Sequence, residues 1–567
     1  MLAQPRARWI LRLGLYAVVA ALVTGPAWIR GDLLGDPTVD VWNHAWGWWW
    51  FAESLGQGTL PWRTGLLGHP AGGVLWFPDP LGALAGLPWT LLFGPAIAWN
   101  LVLTWRVLFA ALAADLLAEE VSGPGPHTVV AGVALSTSPF LWCELADGIS
   151  EATSLGWVAL ALWALARAFR TGTLRDHVLL GAIAGTATVA SPYFGVSIGV
   201  LGGAWWIWRL VRYRRGLPGG LLAAGVALAL AIGPLIALSA SLAAPDALAH
   251  RPEAQNLALA VHNAVDPREY VVPGFVTLDL AAVYGETLVH SGYLRVALLV
   301  LAGLALVRHP RRALPWALLA AGACVLGLGP YLFWDHHWVT VGNRPVPLPF
   351  LLLQRVAGLA ATHPLRLSVV AQVAAACLGA LALSPREGGP GRAVRLRTGL
   401  AALAALAAIA DTIALSRAPF PLPVAPAAVP PVYATIAASE DPRGVLDLPP
   451  EVDTTMRTSR YLWFQTVHGR PVPWGPDVRA GSSGDPEALM ALPHPQGHVG
   501  PLRRIDARPL PPSAVLHLRR HYGWILLHED LDARVANPGA SRAVLEAALG
   551  APVDSGGILA WTLPGAP

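Results

Sequence analysis

The sequence predicts an all-α polytopic membrane protein with about eleven transmembrane helices, followed by a small soluble α/β unit. Three observations predict it. Only 13% of the 567 residues are charged, against 54% hydrophobic, where a soluble chain carries roughly 25% charged residues. Runs such as Leu221–Leu242 and Ala297–Val307 hold no charge at all, and a bilayer core about 30 Å thick asks for an apolar run of roughly 20 residues. After the proline-rich stretch 418–426, a semi-rigid extended spacer, the composition becomes that of a soluble unit.

The apolar segments fall at 9–29, 97–117, 127–146, 150–169, 176–190, 192–210, 218–243, 292–307, 313–334, 364–384 and 398–415. The first follows Arg6 and Arg8 and lacks a small-x-small cleavage site, so it reads as a retained anchor rather than a signal peptide. Arginine clusters at 6–12, 167–175, 209–215, 308–312 and 386–397 all sit in the cytoplasm if an even number of spans separates them, and these segments supply that. Residues 79–94 and 349–361 would break the count and are expected to be interfacial or re-entrant. Three stretches then face outside: about 30–96, about 244–291, and the tail from 417 to 567, the module before it being 1–416. In the tail, Gly444–Leu448 and Trp524–His528 read as buried strands and Ser541–Leu549 as a helix.

Net charge is +4, and every fixed positive charge is an arginine, because the chain has no lysine. The arginines flank apolar runs and form no basic stripe, which excludes a nucleic-acid partner and leaves the lipid bilayer as one. Cys143, Cys324 and Cys377 lie in or beside apolar segments and suit neither a disulfide framework nor a metal cluster. No phosphate-binding loop, dinucleotide fingerprint, HExxH or nucleophile elbow is present.

The sharpest signal is the start of the first outer loop, Gly35-Asp-Pro-Thr-Val-Asp40-Val-Trp-Asn-His44-Ala-Trp-Gly-Trp-Trp-Trp. Asp36 and Asp40 stand directly before a tryptophan-rich stretch, expected as a helix over 41–56 lying along the membrane surface. A carboxylate at that depth can take a proton from a hydroxyl attacking a lipid-linked substrate. The structural alternatives are a Gly-Asp-Pro turn for Asp36 and a helix N-cap for Asp40. The residue before a proline is biased towards turn or extended backbone, so Asp40 is the expected base. His44, one turn on, shares a helix face with Asp40 and could orient it or contact a phosphate.

With these residues in view, the chain resembles the GT-C membrane glycosyltransferases. The likeness extends through His69-Pro-Ala-Gly-Gly-Val-Leu and Pro78-Asp-Pro-Leu to Leu92-Phe-Gly-Pro-Ala-Ile-Ala-Trp-Asn100. It continues in Gly329-Pro-Tyr with Pro345-Val-Pro-Leu-Pro, and in Val445-Leu-Asp-Leu-Pro-Pro with Gln465-Thr-Val-His-Gly-Arg-Pro471. The resemblance implies a polyprenyl-phosphate-linked sugar as donor, a cell-envelope glycan, lipid or protein as acceptor, and inversion at the sugar carbon. It also implies a loop aspartate as base or, in some branches, as ligand to a divalent cation. Family members often carry Asp-Glu or Asp-x-Asp, whereas Asp36 and Asp40 are spaced Asp-x-x-x-Asp.

Further candidates are looser. Arg355, His363 and Arg366 flank the second interfacial segment, and a guanidinium there suits a bidentate phosphate contact. Glu144, Asp147 and Glu151 cluster at an outer turn, and Asp266 and Glu286 lie in the second outer loop as substrate-binding candidates. A transporter or lipid-carrier flippase and a non-catalytic scaffold are the rival readings; a transporter should show repeated halves with broken helices, and no such repeat is visible.

Overall fold

The structure, a computed structural model, describes residues 5–213, 217–248, 253–277, 290–335, 337–354, 363–385, 394–449, 459–474, 510, 512–533 and 538–565. Arg355 and Glu286 lie outside the described residues. The first part of the chain is a helical bundle, and we label the helices that build the site. They are α1 (Pro5–Arg30), α2 (Val41–Gly56), α3 (Pro80–Phe93), α4 (Pro95–Ser122), α5 (Val129–Ser136), α6 (Pro139–Asp147) and α7 (Leu155–Thr171). Among the described residues, seven helices are long and apolar enough to cross a bilayer: Arg8–Arg30, Pro95–Ser122, Pro126–Asp147, Pro192–Arg212, Leu217–Ser241, Pro364–Leu383 and Leu396–Leu415. The remaining four apolar segments are also helical, as α7, Leu174–Ala190, Val296–Arg308 and Pro310–Gly327.

Local sequence explains where the bundle bends and where it closes. The third span is two helices, α5 and α6, because Ser138 caps the second through Leu141 N and Pro139 takes its first position. Helix Leu174–Ala190 lies along Leu217–Ala243 at very close range. A Cβ at Gly181 would come within 2.4 Å of the Ala223 carbonyl oxygen, and one at Gly185 within 2.9 Å of that of Ala227. This is the small-xxx-small contact by which helices approach in lipid, where packing replaces the hydrophobic drive.

The two ends of the bundle differ in chemistry. At one end, Arg12 bonds to Asp115, Glu119 and the Gly125 carbonyl, while Arg170 pairs with Glu120 and Arg167 with Asp176. At the other end the two long loops and the tail meet. β1 (Leu33–Leu34) pairs antiparallel with β2 (Val424–Ala425), Arg63 of the first loop pairs with Asp246, and Val74 exchanges backbone bonds with Asp246 and Leu248. The first loop, the second loop and the tail therefore stand on the same side of the bundle.

The tail carries a four-stranded sheet. β3 (Gly444–Leu448) runs parallel to β4 (Tyr522–His528), and β5 (Val553–Asp554) and β6 (Ile558–Thr562) complete the spatial order β5-β6-β4-β3. Helix Ser459–His468 covers α2, with Trp46 Nε1 donating to Gln465 Oε1 at 2.7 Å.

Helix α2 spans the residues the sequence predicts but not the environment. Trp42, Trp46, Trp48 and Trp50 are buried in protein rather than laid on a membrane surface. Trp46 stacks on Trp50 at 5.6 Å, Trp42 meets Trp463 of the tail at 6.2 Å, and Trp48 packs on Trp99 at 4.9 Å. The tail and α3 cover the helix, and a periodicity argument cannot see a cover that arrives from another part of the chain.

Candidate active site

The loop holding the two aspartates is stitched to the end of α6. Asp36 N donates to the Ala146 carbonyl at 2.6 Å and Asp40 N to the Asp147 carbonyl at 3.1 Å. Gly148 closes the join: its φ is +72°, and a Cβ there would sit 2.5 Å from Val41 Cα. Only glycine satisfies both demands. Asp36 is spent locally, its Oδ1 accepting from Thr38 N at 2.8 Å and Thr38 Oγ1 at 2.6 Å. That is an Asx turn. Asp40 occupies the N-cap position of α2 yet makes no side-chain capping bond there; its Oδ1 accepts from Asn43 Nδ2 at 3.3 Å.

Three elements converge beyond Asp40. α6 brings Glu144, the short helix Ser150–Thr153 brings Glu151, and the turn Pro364–Ser368 brings Arg366, all three buried. Arg366 Nη1 donates to Glu151 Oε1 at 3.1 Å, and Nη2 lies 3.6 Å from Glu144 Oε2. His44 Nδ1 is 3.0 Å from Ser150 Oγ and 3.6 Å from Glu151 Oε2. Asp40 is near enough for its charge to act on both Glu144 and Arg366. The Arg366 guanidinium lies over the Tyr193 ring at 5.4 Å, and the Tyr193 hydroxyl reaches His363 Nδ1 at 3.1 Å. Asp40, His44, His363 and Arg366, chosen from distant parts of the sequence, thus form one group with Glu144 and Glu151.

Asp266 does not share in these contacts. It is buried as the cap of the short helix Pro267–Tyr270, with Oδ1 accepting from Arg268 N at 2.8 Å. Its neighbour Glu269 accepts from Thr277 N, Thr277 Oγ1 and Gly292 N at 3.1, 2.5 and 2.9 Å. Burial nevertheless outweighs those bonds and raises the Glu269 carboxyl above its ordinary range. His290 is pushed down to about 3 by burial and then by the Arg366 charge. Neither of its ring nitrogens bonds to a described residue.

Sequence reasoning singled out His290 with the second loop but missed Tyr193, Asp79 and Arg106 as site residues. Asp79 and Arg106 form a buried pair at 2.8 Å beside Ser150. A signal was present for Arg106, since a single arginine within an apolar span is costly unless it has a duty. Among the described residues, no three His, Cys, Asp or Glu side chains are grouped as metal ligands. No step of the proposed reaction is routed through the divalent cation that the resemblance implies for some branches.

No family model and no curated protein sequence matches the chain. Solved structures do. The apo-state ArnT from Cupriavidus metallidurans superimposes with a TM-score of 0.52 at 12% identity, covering 98% of this chain and 98% of that one. The Archaeoglobus fulgidus oligosaccharyltransferase tethered with an acceptor peptide containing the NVT sequon gives 0.51 at 13% identity, covering 92% of this chain and 69% of that one. Identities this low speak for the fold alone, and the fold is the one the loop motifs resemble: the chain is a polytopic membrane protein of the GT-C fold.

Proposed function

We propose that the protein is a membrane glycosyltransferase that moves a sugar from a polyprenyl-phosphate donor to a cell-envelope acceptor on the outer face of the inner membrane. The observation that carries this reading is the convergence of Asp40, Glu144, Glu151 and Arg366 at the end of a GT-C bundle where the outer loops and tail gather. The N-terminus is cytoplasmic and the tail extracytoplasmic, in keeping with the arginines gathered at the opposite end.

In this reading Asp40 removes the proton from an acceptor hydroxyl. The freed oxygen attacks the sugar carbon from the face opposite the phosphate, and the sugar–phosphate bond breaks. Polyprenyl phosphate leaves with the bonding electrons, and the configuration at the sugar carbon inverts. Arg366, His363 and Tyr193 give the departing phosphate its nearest cationic and hydrogen-bonding groups, and Glu144 with Glu151 fixes the guanidinium.

The test is turnover of a polyprenyl-phosphate-linked sugar by the purified protein in proteoliposomes. Asp40→Asn keeps size and most hydrogen bonding but lacks a basic oxygen, and a lost general base costs about 10²–10⁴ in rate. Asp36→Asn keeps the oxygen that Thr38 uses and should turn over nearly normally. If Asp36→Asn is dead while Asp40→Asn is normal, the base is Asp36. If both are normal, the transferase reading falls.

A further inference from the structure

We infer that Arg106 is a positioning residue for this reaction, tying the apolar helix α3 to His44 through Ser150. The inference rests on the reading of the site just given. Arg106 projects from the middle of α4 and is buried, as is Asp79. Its Nη2 donates to both Asp79 carboxylate oxygens at 2.8 Å. Asp79 is also the N-cap of α3, accepting from Gly82 N at 2.9 Å. A single carboxylate therefore starts α3 and holds the guanidinium.

The other arm of the fork faces the site. Arg106 Nη1 donates to the Ser150 carbonyl oxygen and to Thr153 Oγ1, the latter at 3.2 Å, and Thr153 Oγ1 itself donates to the Ser150 oxygen at 2.7 Å. Two donors thus pin the backbone of Ser150. Its hydroxyl is what meets His44 Nδ1, and the next residue, Glu151, binds Arg366 with one oxygen and stands near His44 with the other. The guanidinium also lies over the Trp48 ring at 5.7 Å, one turn beyond His44 on α2. Where Arg106 sits decides where residues 150–151 sit, and so which atoms face His44.

Stability is a poor reason for this pair. Replacing a buried ion pair with well-packed apolar side chains is often neutral or stabilising. What the planar fork supplies, and an apolar or lysine side chain does not, is a set of fixed directions towards several elements. α3 presents Leu84, Trp89, Leu91, Leu92 and Phe93 outward, so this exposed apolar helix is joined to His44 by three successive contacts.

The experiment uses the full chain in nanodiscs with isotope-labelled histidine. The His44 resonances are identified by their loss in His44→Gln. Arg106→Lys retains the charge but not the fork, and should shift the His44 resonances and weaken binding of undecaprenyl phosphate, a member of the class the proposed reaction releases, about tenfold. Asp79→Asn keeps the oxygen that caps α3 and loosens the grip on Arg106; it should shift the same resonances although it touches neither His44 nor Ser150. Should Arg106→Lys fail to fold, Asp79→Asn decides the matter. His44 resonances unmoved in every folded variant overturn the inference. A wild-type protein that does not bind undecaprenyl phosphate counts instead against the transferase reading, while the resonance shifts still judge Arg106.

Discussion

Asp36 and Asp40 are chemically identical and differ in what surrounds them. Asp36 closes its own turn onto Thr38, whereas Asp40 stands within reach of the charges of Glu144 and Arg366. The proline after Asp36 made the first half of that contrast legible, because it restricts the backbone before it. The second half was not, since Glu144 and Arg366 lie about 100 and 330 positions away and nothing local couples them. Gly148 is the residue on which their meeting depends. Gly148→Ala would force a side chain into left-handed backbone and against the Val41 backbone, at a cost of about 1–3 kcal/mol. We expect a lower unfolding temperature in detergent and a loss of activity larger than the loss of folded protein, since the strain falls on the Asp40 turn. Wild-type activity in Gly148→Ala would show that the join does not set the geometry of Asp40.

At the scale of elements, hydropathy located each apolar segment, because a helix in lipid must satisfy its own backbone and be apolar along its length. It did not reveal the neighbours of α2, whose tryptophans suit a membrane interface and a protein interior equally well. The tail sheet has its own dependence on acid. His528 Nε2 lies 3.1 Å from Asp447 Oδ1, with the Tyr433 hydroxyl bonded to both. Burial depresses His528 below its ordinary value and takes His468 down to about 4. Unfolded, these imidazoles would take up protons below about 6.5, while the folded His468 stays neutral to about 4. The unfolded state thus binds more protons in that window, and the stability of the tail must fall as pH drops from about 6.5 towards 4. Hydrogen exchange on the full chain, corrected for intrinsic rate, should show the amides of β3 and β4 losing protection over that range. Protection that is constant or rises with acid would contradict this.

For the whole molecule, the GT-C fold explains why segments far apart in sequence converge on one end of the bundle. The first loop supplies the carboxylate, the turn at 364–368 the guanidinium, and the tail the cover through Trp46 and Gln465. The acidic loop was readable because it is contiguous; the cover was not, because β1 and β2 pair across nearly 400 residues. A transporter of lipid-linked sugars could share the bundle but would have no need of the base and phosphate-binding guanidinium proposed here. The most direct measurement follows a doubly labelled polyprenyl-phosphate sugar, marked in the lipid and in the sugar, through proteoliposomes holding the purified chain and an envelope extract as acceptor. The account predicts that the two labels separate, with one polyprenyl phosphate released for each sugar transferred, and that Asp40→Asn stops the separation. If both labels cross the bilayer still joined, with no polyprenyl phosphate released, the protein is a carrier and the account is wrong.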